Sequence, residues 1–173
     1  MIDNFQDFIY YNDDALPQQT CEELVDFYAN NRDRVEHMRE KCMDFGAVVP
    51  SNPQTRDDYV YFINIEYNER HHIDQINNAI HDAIVAYTKK YRFMWESNRI
   101  SWQCLKYHIV KKMGGYHTWH HEWNVDFSRW RVAVWHISLT THEDEGELEF
   151  LHQGHRINPK AGRILVWPAG VIL

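Results

Sequence analysis

The chain has 173 residues, of which 44% are hydrophobic and 25% charged, and this length and composition predict one ordinary globular domain with its own core. The net charge of -7 argues against a partner with a phosphate backbone, which needs a basic surface. No apolar run approaches the roughly 20 residues that cross a bilayer, and the acidic N-terminal stretch lacks the layout of a signal peptide.

Cysteine usage points to a compartment. Cys21, Cys42 and Cys104 are widely spaced and odd in number, which indicates a reducing environment rather than a disulfide framework. We therefore expect a cytoplasmic protein. The negative net charge and the lack of a membrane-spanning apolar run further predict that neither a nucleic acid nor a membrane is its partner.

The first half of the chain is predicted to be rich in helices. Thr20 and Glu23 match the Thr-x-x-Glu capping box, which predicts that a helix starts at Thr20. A second helical stretch is predicted over residues 34–43, and a short aromatic strand over 59–65. The clearest helix covers residues 73–91, because apolar residues recur there at steps of three and four, as expected for a helix packed on a sheet.

Beyond residue 100 the helical pattern gives way to short segments typical of strands. These segments are 101–109, 116–123, 131–140, 147–152, 156–157 and 163–167. Turn-forming residues separate them, as at 111–115. The pattern predicts an antiparallel barrel or a double-sheet jelly roll, in a single domain over 1–173 with a helix-rich support region at 1–99 and the sheet core at 100–173.

The most informative residues for function are His120 and Glu122. On a strand, their side chains would point to one face, about 7 Å apart. Together with a histidine from another strand, such a pair forms the facial triad of non-haem Fe(II) oxygenases. The pair alone is weak evidence in a chain with 12 histidines, since a polar surface strand shows the same pattern. His136 lies within the apolar segment 132–139 and is either a core histidine or a pocket residue.

Five motifs support the oxygenase interpretation because they occur in the order found in one family. The motifs are Tyr107 with Gly114-Gly115-Tyr116, then His120-x-Glu122, then Arg131 with residues 132–139, then Gly146-Glu147-Leu148-Glu149-Phe150, and finally the segment from Pro159 to Ala169. The stretch from Trp102 to Gly170 resembles the catalytic double-stranded β-helix of Fe(II)/2-oxoglutarate-dependent dioxygenases of the prolyl 4-hydroxylase type.

This resemblance implies an α+β, mainly β fold, in which N-terminal helices brace a double-stranded β-helix, or jelly roll. It also implies an enzyme that binds Fe(II) and 2-oxoglutarate, with ascorbate as a reductant. Such an enzyme hydroxylates a C–H bond, here a prolyl group in a protein or peptide, and releases succinate and CO2. By the resemblance, His120 and Glu122 are the first two iron ligands, and Tyr107, His136 and Ser138 are cosubstrate positions.

The chain also departs from the family pattern. Most family members have Asp at the position of Glu122. In the family, the third iron ligand follows a few residues after the Pro-Ala segment, which ends here at Ala169, and a basic residue that pairs with 2-oxoglutarate follows on the next strand, whereas this sequence ends at Leu173. We therefore expect the third ligand beyond Leu173, and the last strands of the β-helix to be missing from this sequence. The alternative is a catalytically incomplete jelly roll that binds a metal or another ligand.

A cupin-like metal site is disfavoured by the order of the ligands. Cupins carry a His-x-His pair followed by a Glu, whereas this chain carries His120-x-Glu122. The identity of the substrate and the oligomeric state are left open by the sequence.

Overall fold

The computed structural model describes residues 3–30, 54, 56–63, 72–92, 105–123 and 131–173. The elements in these ranges are β1 (Asn4–Gln6), β2 (Ile9–Asn12), α1 (Gln18–Asn30), β3 (Arg56–Ile63), α2 (Ile73–Lys90), β4 (Leu105–Tyr116), β5 (Ala133–Ile137), β6 (Leu148–Phe150), β7 (His155–Ile157) and β8 (Ile164–Pro168). The helix predicted over 34–43 lies outside the described residues. Neither α1 nor α2 is long and apolar enough to span a membrane.

The fold divides into two compact units. The first contains Met1–Leu24, His72–Ile100 and His120–Leu173, and the second contains Val25–His71 and Ser101–Trp119. The N-terminal strands share the first unit with the C-terminal strands. The single domain expected from the sequence stays a prediction.

An antiparallel four-stranded sheet in the order β1-β2-β8-β5 forms the centre of the first unit. Strand β8 is central, with Leu165 opposite Tyr11 on one side and opposite His136 on the other. Residues Ile164 to Trp167 are all buried, which explains their continuous apolar sequence, since a strand covered on both faces needs apolar side chains in both directions.

Leu165 and Trp167 lie on one face of this sheet, here called the interior face. They form an apolar cluster with Ile9 and Phe150, in which the rings of Phe150 and Trp167 meet edge to face at 5.6 Å between centroids. Such clusters of large aromatic and aliphatic side chains supply most of the free energy that stabilises a small fold.

Helix α2 confirms the helix predicted over residues 73–91. It packs on β8 and β2, and its buried positions include Ile76, Ile80 and Tyr87, at the predicted helical spacing. The Tyr87 hydroxyl donates a hydrogen bond to the Phe8 carbonyl (2.9 Å), and burial raises the pKa of Tyr87 well above its usual value. The predicted apolar stripe therefore faces a sheet, as expected.

The capping box predicted at Thr20 is wrong. Helix α1 begins at Gln18, and the N–H of Cys21 already bonds to the Pro17 carbonyl (3.2 Å), so Thr20 lies inside the first turn. Proline suits the start of a helix because its φ angle is fixed near the helical value. The Thr20 hydroxyl instead donates to the Gln75 side-chain oxygen (2.8 Å).

Strand β4, in the second unit, pairs with β3 and absorbs the turn that was predicted at 111–115. Val110 lies opposite Asp58 and Gly115 opposite Asp57, so residues 111–114 bulge out of the ladder. Met113 in this bulge has a φ of 66° and is 89% exposed. The bulge replaces the predicted turn because β4 continues to Tyr116 after it.

The strand predicted over residues 116–123 is also wrong, because no regular strand follows Tyr116 in this stretch. The N–H groups of Glu122 and Trp123 both bond to the Ala169 carbonyl, each at 3.0 Å. Successive N–H groups of a strand point to opposite sides, so two bonds to one oxygen require a bend at this position.

Asp13 links the chain before α1 to the start of β8, and the contribution of its charge to stability can be tested by varying the pH. Arg163 Nε donates to its Oδ1 (2.6 Å) and Lys160 Nζ to its Oδ2 (3.1 Å), and these bonds, Arg163 first, lower the pKa of Asp13 below its ordinary value of 3.8. A depressed folded-state pKa stabilises the protein above the unfolded-state pKa, and the contribution disappears as pH falls through the folded-state pKa.

We therefore expect Asp13→Asn to lower Tm at neutral pH and to have progressively less effect as the solution is acidified below the ordinary pKa of a carboxylate. Thermal unfolding of both proteins from neutral to strongly acidic pH measures this difference. A Tm difference that does not change with pH would show that the charge of Asp13 does not carry the effect.

Candidate active site

The side chains of His120 and Glu122 lie next to each other. His120 Nε2 is 3.4 Å from Glu122 Oε1. Two ligands that each lie about 2.1 Å from a metal, at right angles, are themselves about 3 Å apart, so these atoms fit two adjacent ligands of a divalent cation. The bend at Glu122 brings the two groups closer than the roughly 7 Å expected for a straight strand.

Backbone hydrogen bonds hold this pair in place. His120 and Leu173 exchange both of their backbone bonds, N–H of His120 to the Leu173 oxygen (2.9 Å) and the reverse (2.8 Å). In such a pair the two side chains lie on the same side of the ladder. Leu173 packs against the interior cluster that contains Trp167, so the His120 side chain is directed to that side.

Arg131 contacts the other oxygen of the Glu122 carboxylate. Its Nη1 donates to Glu122 Oε2 at 2.6 Å and to the Glu122 carbonyl at 3.2 Å. About 30% of each side chain is exposed. The sequence placed Arg131 in a family motif but assigned it no role, and no local pattern indicates this contact.

His136 and Ser138 lie farther along the interior side of the sheet. His136 is opposite Leu165 in the β5–β8 ladder, and directly opposed side chains share a face. Ser138 is 6% exposed, and its backbone exchanges bonds of 2.9 Å with Gly162 and Arg163. The structure thus brings the side chains of His120 and Glu122 together. His136 lies near the C-terminal end of β5, and Ser138 directly follows this strand.

Tyr107 belongs to the second unit, where it lies in β4. Its ring stacks on that of Tyr28, with centroids 3.9 Å apart and an interplanar angle of 20°. Burial raises the pKa of Tyr107, so its hydroxyl keeps its proton at neutral pH. A protonated phenol is a hydrogen-bond donor, which is the chemistry that a ligand carboxylate requires.

Trp167 is a candidate site residue that sequence reasoning missed. It is 3% exposed, and its indole N–H has no hydrogen-bond partner among the described residues. A buried donor without a partner costs about 1–3 kcal/mol, and such groups often serve a ligand or an ordered water. The sequence identified Trp167 only as an aromatic position of a motif, because a missing partner leaves no sequence signal.

The described parts of the chain do not bring together a complete set of protein ligands for a metal ion. No group of three or more His, Cys, Asp or Glu side chains comes together there in a way that holds a metal ion. The two donor atoms of His120 and Glu122 still fit a divalent cation by their separation and their chemistry.

The sequence matches no family profile and no curated relative, whereas solved structures are similar to it. One is the viral collagen prolyl hydroxylase of Paramecium bursaria Chlorella virus 1 in its 2-oxoglutarate (2OG) complex, with 16% identity and a TM-score of 0.61 over 93% of this chain and 77% of that one. Another is a Pseudomonas putida prolyl-4-hydroxylase, with 18% identity and a TM-score of 0.59 over 95% of this chain and 82% of that one.

At these identities the likeness establishes the fold. The antiparallel sheets described above agree with it, and the mainly β jelly roll predicted from the sequence is confirmed. The chain therefore has the jelly-roll fold of the prolyl 4-hydroxylases.

Proposed function

We propose that the protein is an Fe(II)- and 2-oxoglutarate-dependent oxygenase that hydroxylates a C–H bond, with a prolyl group in a protein or peptide as its target. The observation that carries the proposal is the 3.4 Å approach of His120 Nε2 to Glu122 Oε1 in a chain with the prolyl hydroxylase fold. Imidazole and carboxylate are the protein ligands of the facial triad.

In this proposal His120 and Glu122 bind Fe(II) side by side, and the third ligand follows Leu173. The paired backbone bonds between Leu173 and His120 support this position, because a residue placed directly after Leu173 would lie beside His120. Iron and 2-oxoglutarate, when bound, would supply the oxidative chemistry, in which O2 gives one oxygen atom to succinate and the other to the hydroxylated product while CO2 is released. The protein's own residues bind, orient and shield the reactants.

The cosubstrate is proposed to use donors that the chain already offers. Tyr107 is proposed as a cosubstrate position because its protonated hydroxyl suits a carboxylate, as the resemblance implies. Within the first unit, the buried indole N–H of Trp167 offers a donor on the interior side, and His136 and Ser138 are proposed as further cosubstrate positions there. Ascorbate is proposed as the reductant, and the scaffold as a double-stranded β-helix braced by the N-terminal helices.

The proposed substrate is a protein or peptide that meets the surface next to Glu122. Trp123 is 45% exposed and Val132 is 54% exposed, although large apolar side chains are usually covered. The flat face of an indole suits a proline ring or an extended peptide. The cytoplasmic location and the lack of nucleic acid and membrane partners stay predictions.

Succinate release by the full-length protein tests this function. With Fe(II), 2-oxoglutarate and proline-containing peptides, we expect succinate to form, to depend on iron and to stop when the iron is chelated. Mass spectrometry of the peptides should then show the addition of one oxygen atom. Tight metal binding without any succinate would favour the alternative, a catalytically incomplete jelly roll that binds a metal or another ligand.

A further inference from the structure

We propose that Arg131 is a positioning residue that orients the Glu122 carboxylate so that one oxygen alone faces the metal. This inference rests on the proposed function, because it takes His120 and Glu122 as metal ligands. Arg131 Nη1 holds Oε2 at 2.6 Å, whereas Oε1 is the oxygen that lies 3.4 Å from His120 Nε2. In this proposal Oε2 therefore accepts the hydrogen bond from Arg131, whereas Oε1 binds the metal.

The backbone fixes the distance between Arg131 and Glu122. The Ala169 carbonyl accepts the N–H of Glu122 (3.0 Å), and the N–H of Ala169 donates to the carbonyl of Val132 (3.1 Å), the neighbour of Arg131. Ala169 is 1% exposed, so one buried residue ties both segments together. Backbone hydrogen bonds thus hold Arg131 and Glu122 close to each other, so their contact does not require two flexible surface side chains to meet by chance.

Orientation, rather than stability, is what this contact contributes. Arg131 and Glu122 are each about 30% exposed, and ion pairs with such exposure add little to folding because solvent screens them. The same guanidinium nitrogen also donates to the Glu122 carbonyl (3.2 Å), which fixes the side chain relative to its own backbone. The geometry of the carboxylate is therefore set before any metal binds.

A glutamate needs such a partner more than an aspartate does. The glutamate side chain has one more rotatable bond, and a flexible ligand loses more conformational entropy when it binds a metal. With Oε2 engaged by Arg131, Glu122 offers a single oxygen, which leaves coordination positions open for other ligands. Outer partners of metal ligands commonly change metal affinity by about 10–100-fold.

Cobalt(II) binding to the full-length protein tests this role without reference to turnover. We expect Arg131→Gln to weaken Co(II) binding about 10–100-fold and to change the visible Co(II) absorption spectrum, because Glu122 is then free to bind through both oxygens. Arg131→Lys keeps the charge but has one compact donor, and we expect an intermediate affinity. The matched control is Arg156→Gln, which breaks another Arg–Glu pair, with Glu149 at 2.9 Å, and should leave Co(II) affinity unchanged.

The outcomes separate this inference from the proposed function. Wild-type affinity and spectrum in Arg131→Gln would overturn the positioning role while leaving the metal site intact. A wild-type protein that binds no Co(II) would overturn the proposed function and the inference together. If thermal unfolding shows that Arg131→Gln is not folded, Arg131→Lys decides instead, since weaker binding supports the role and equal binding overturns it.

Discussion

Replacement of His120 by alanine is expected to abolish succinate release from 2-oxoglutarate and to weaken metal binding by more than about 100-fold. Loss of an outer partner alone costs about 10–100-fold in metal affinity, and the imidazole of His120 is itself one of the two donors, 3.4 Å from Glu122 Oε1. Succinate formation and Co(II) titration of the same variant measure the two effects separately.

His121→Ala is the matched control for this variant. His121 is the next residue in the chain and is exposed, and its ring lies 6.3 Å from that of Trp123. It should therefore keep both the affinity for Co(II) and the rate of succinate release. Equal turnover in wild type and His120→Ala would remove His120 from the site, and a loss in both variants would indicate damage to the local structure instead.

The elements that the sequence predicted correctly are those with long local patterns. Helix α2 has a stripe repeated over five turns, and β8 is a continuous apolar run, so each is visible without its neighbours. The β1–β2 hairpin was missed because its strands have three and four residues. Its turn also uses Asp7 and Phe8 with φ of 49° and 66°, and Phe8 stands where a glycine would have completed the usual Asp-Gly signal.

In the candidate site, too, features carried by a local sequence pattern were predictable, whereas contacts between distant segments were not. The order of motifs selected His120 and Glu122 as candidates, and their role as metal ligands stays a prediction. Their arrangement was not predictable, because the bend at Glu122 depends on the carbonyl of Ala169, which is 47 positions later in the numbering. The Arg131 contact and the buried indole N–H of Trp167, which has no hydrogen-bond partner in the part of the chain that the structure describes, likewise arise only when separate segments pack together.

Gly162→Ala is expected to cause the largest loss of stability among simple substitutions in the turn before β8, about 3–5 kcal/mol in the free energy of unfolding. Gly162 has a φ of +84°, and a Cβ there would overlap the Leu16 carbonyl oxygen. The Gly162 carbonyl accepts the N–H groups of Ala15 and Leu16 (3.0 and 3.1 Å), and the Gly162 N–H donates to the Ser138 carbonyl (2.9 Å). The overlap therefore cannot be relieved without breaking bonds that join the chain before α1 to the sheet.

Gly154→Ala separates backbone strain from this overlap. Gly154 also has a positive φ, +64°, but apart from its two chain neighbours no heavy atom of the described residues lies within 4 Å of a Cβ built on it. A left-handed conformation alone costs an alanine about 1–2 kcal/mol, so Gly154→Ala should lose only that amount. Urea unfolding of both variants measures the difference, and equal losses would mean that the close approach to Leu16 is not what makes glycine necessary at position 162. A much larger loss in Gly162→Ala would instead identify the contact between the chain before α1 and the turn before β8 as the constraint on that residue.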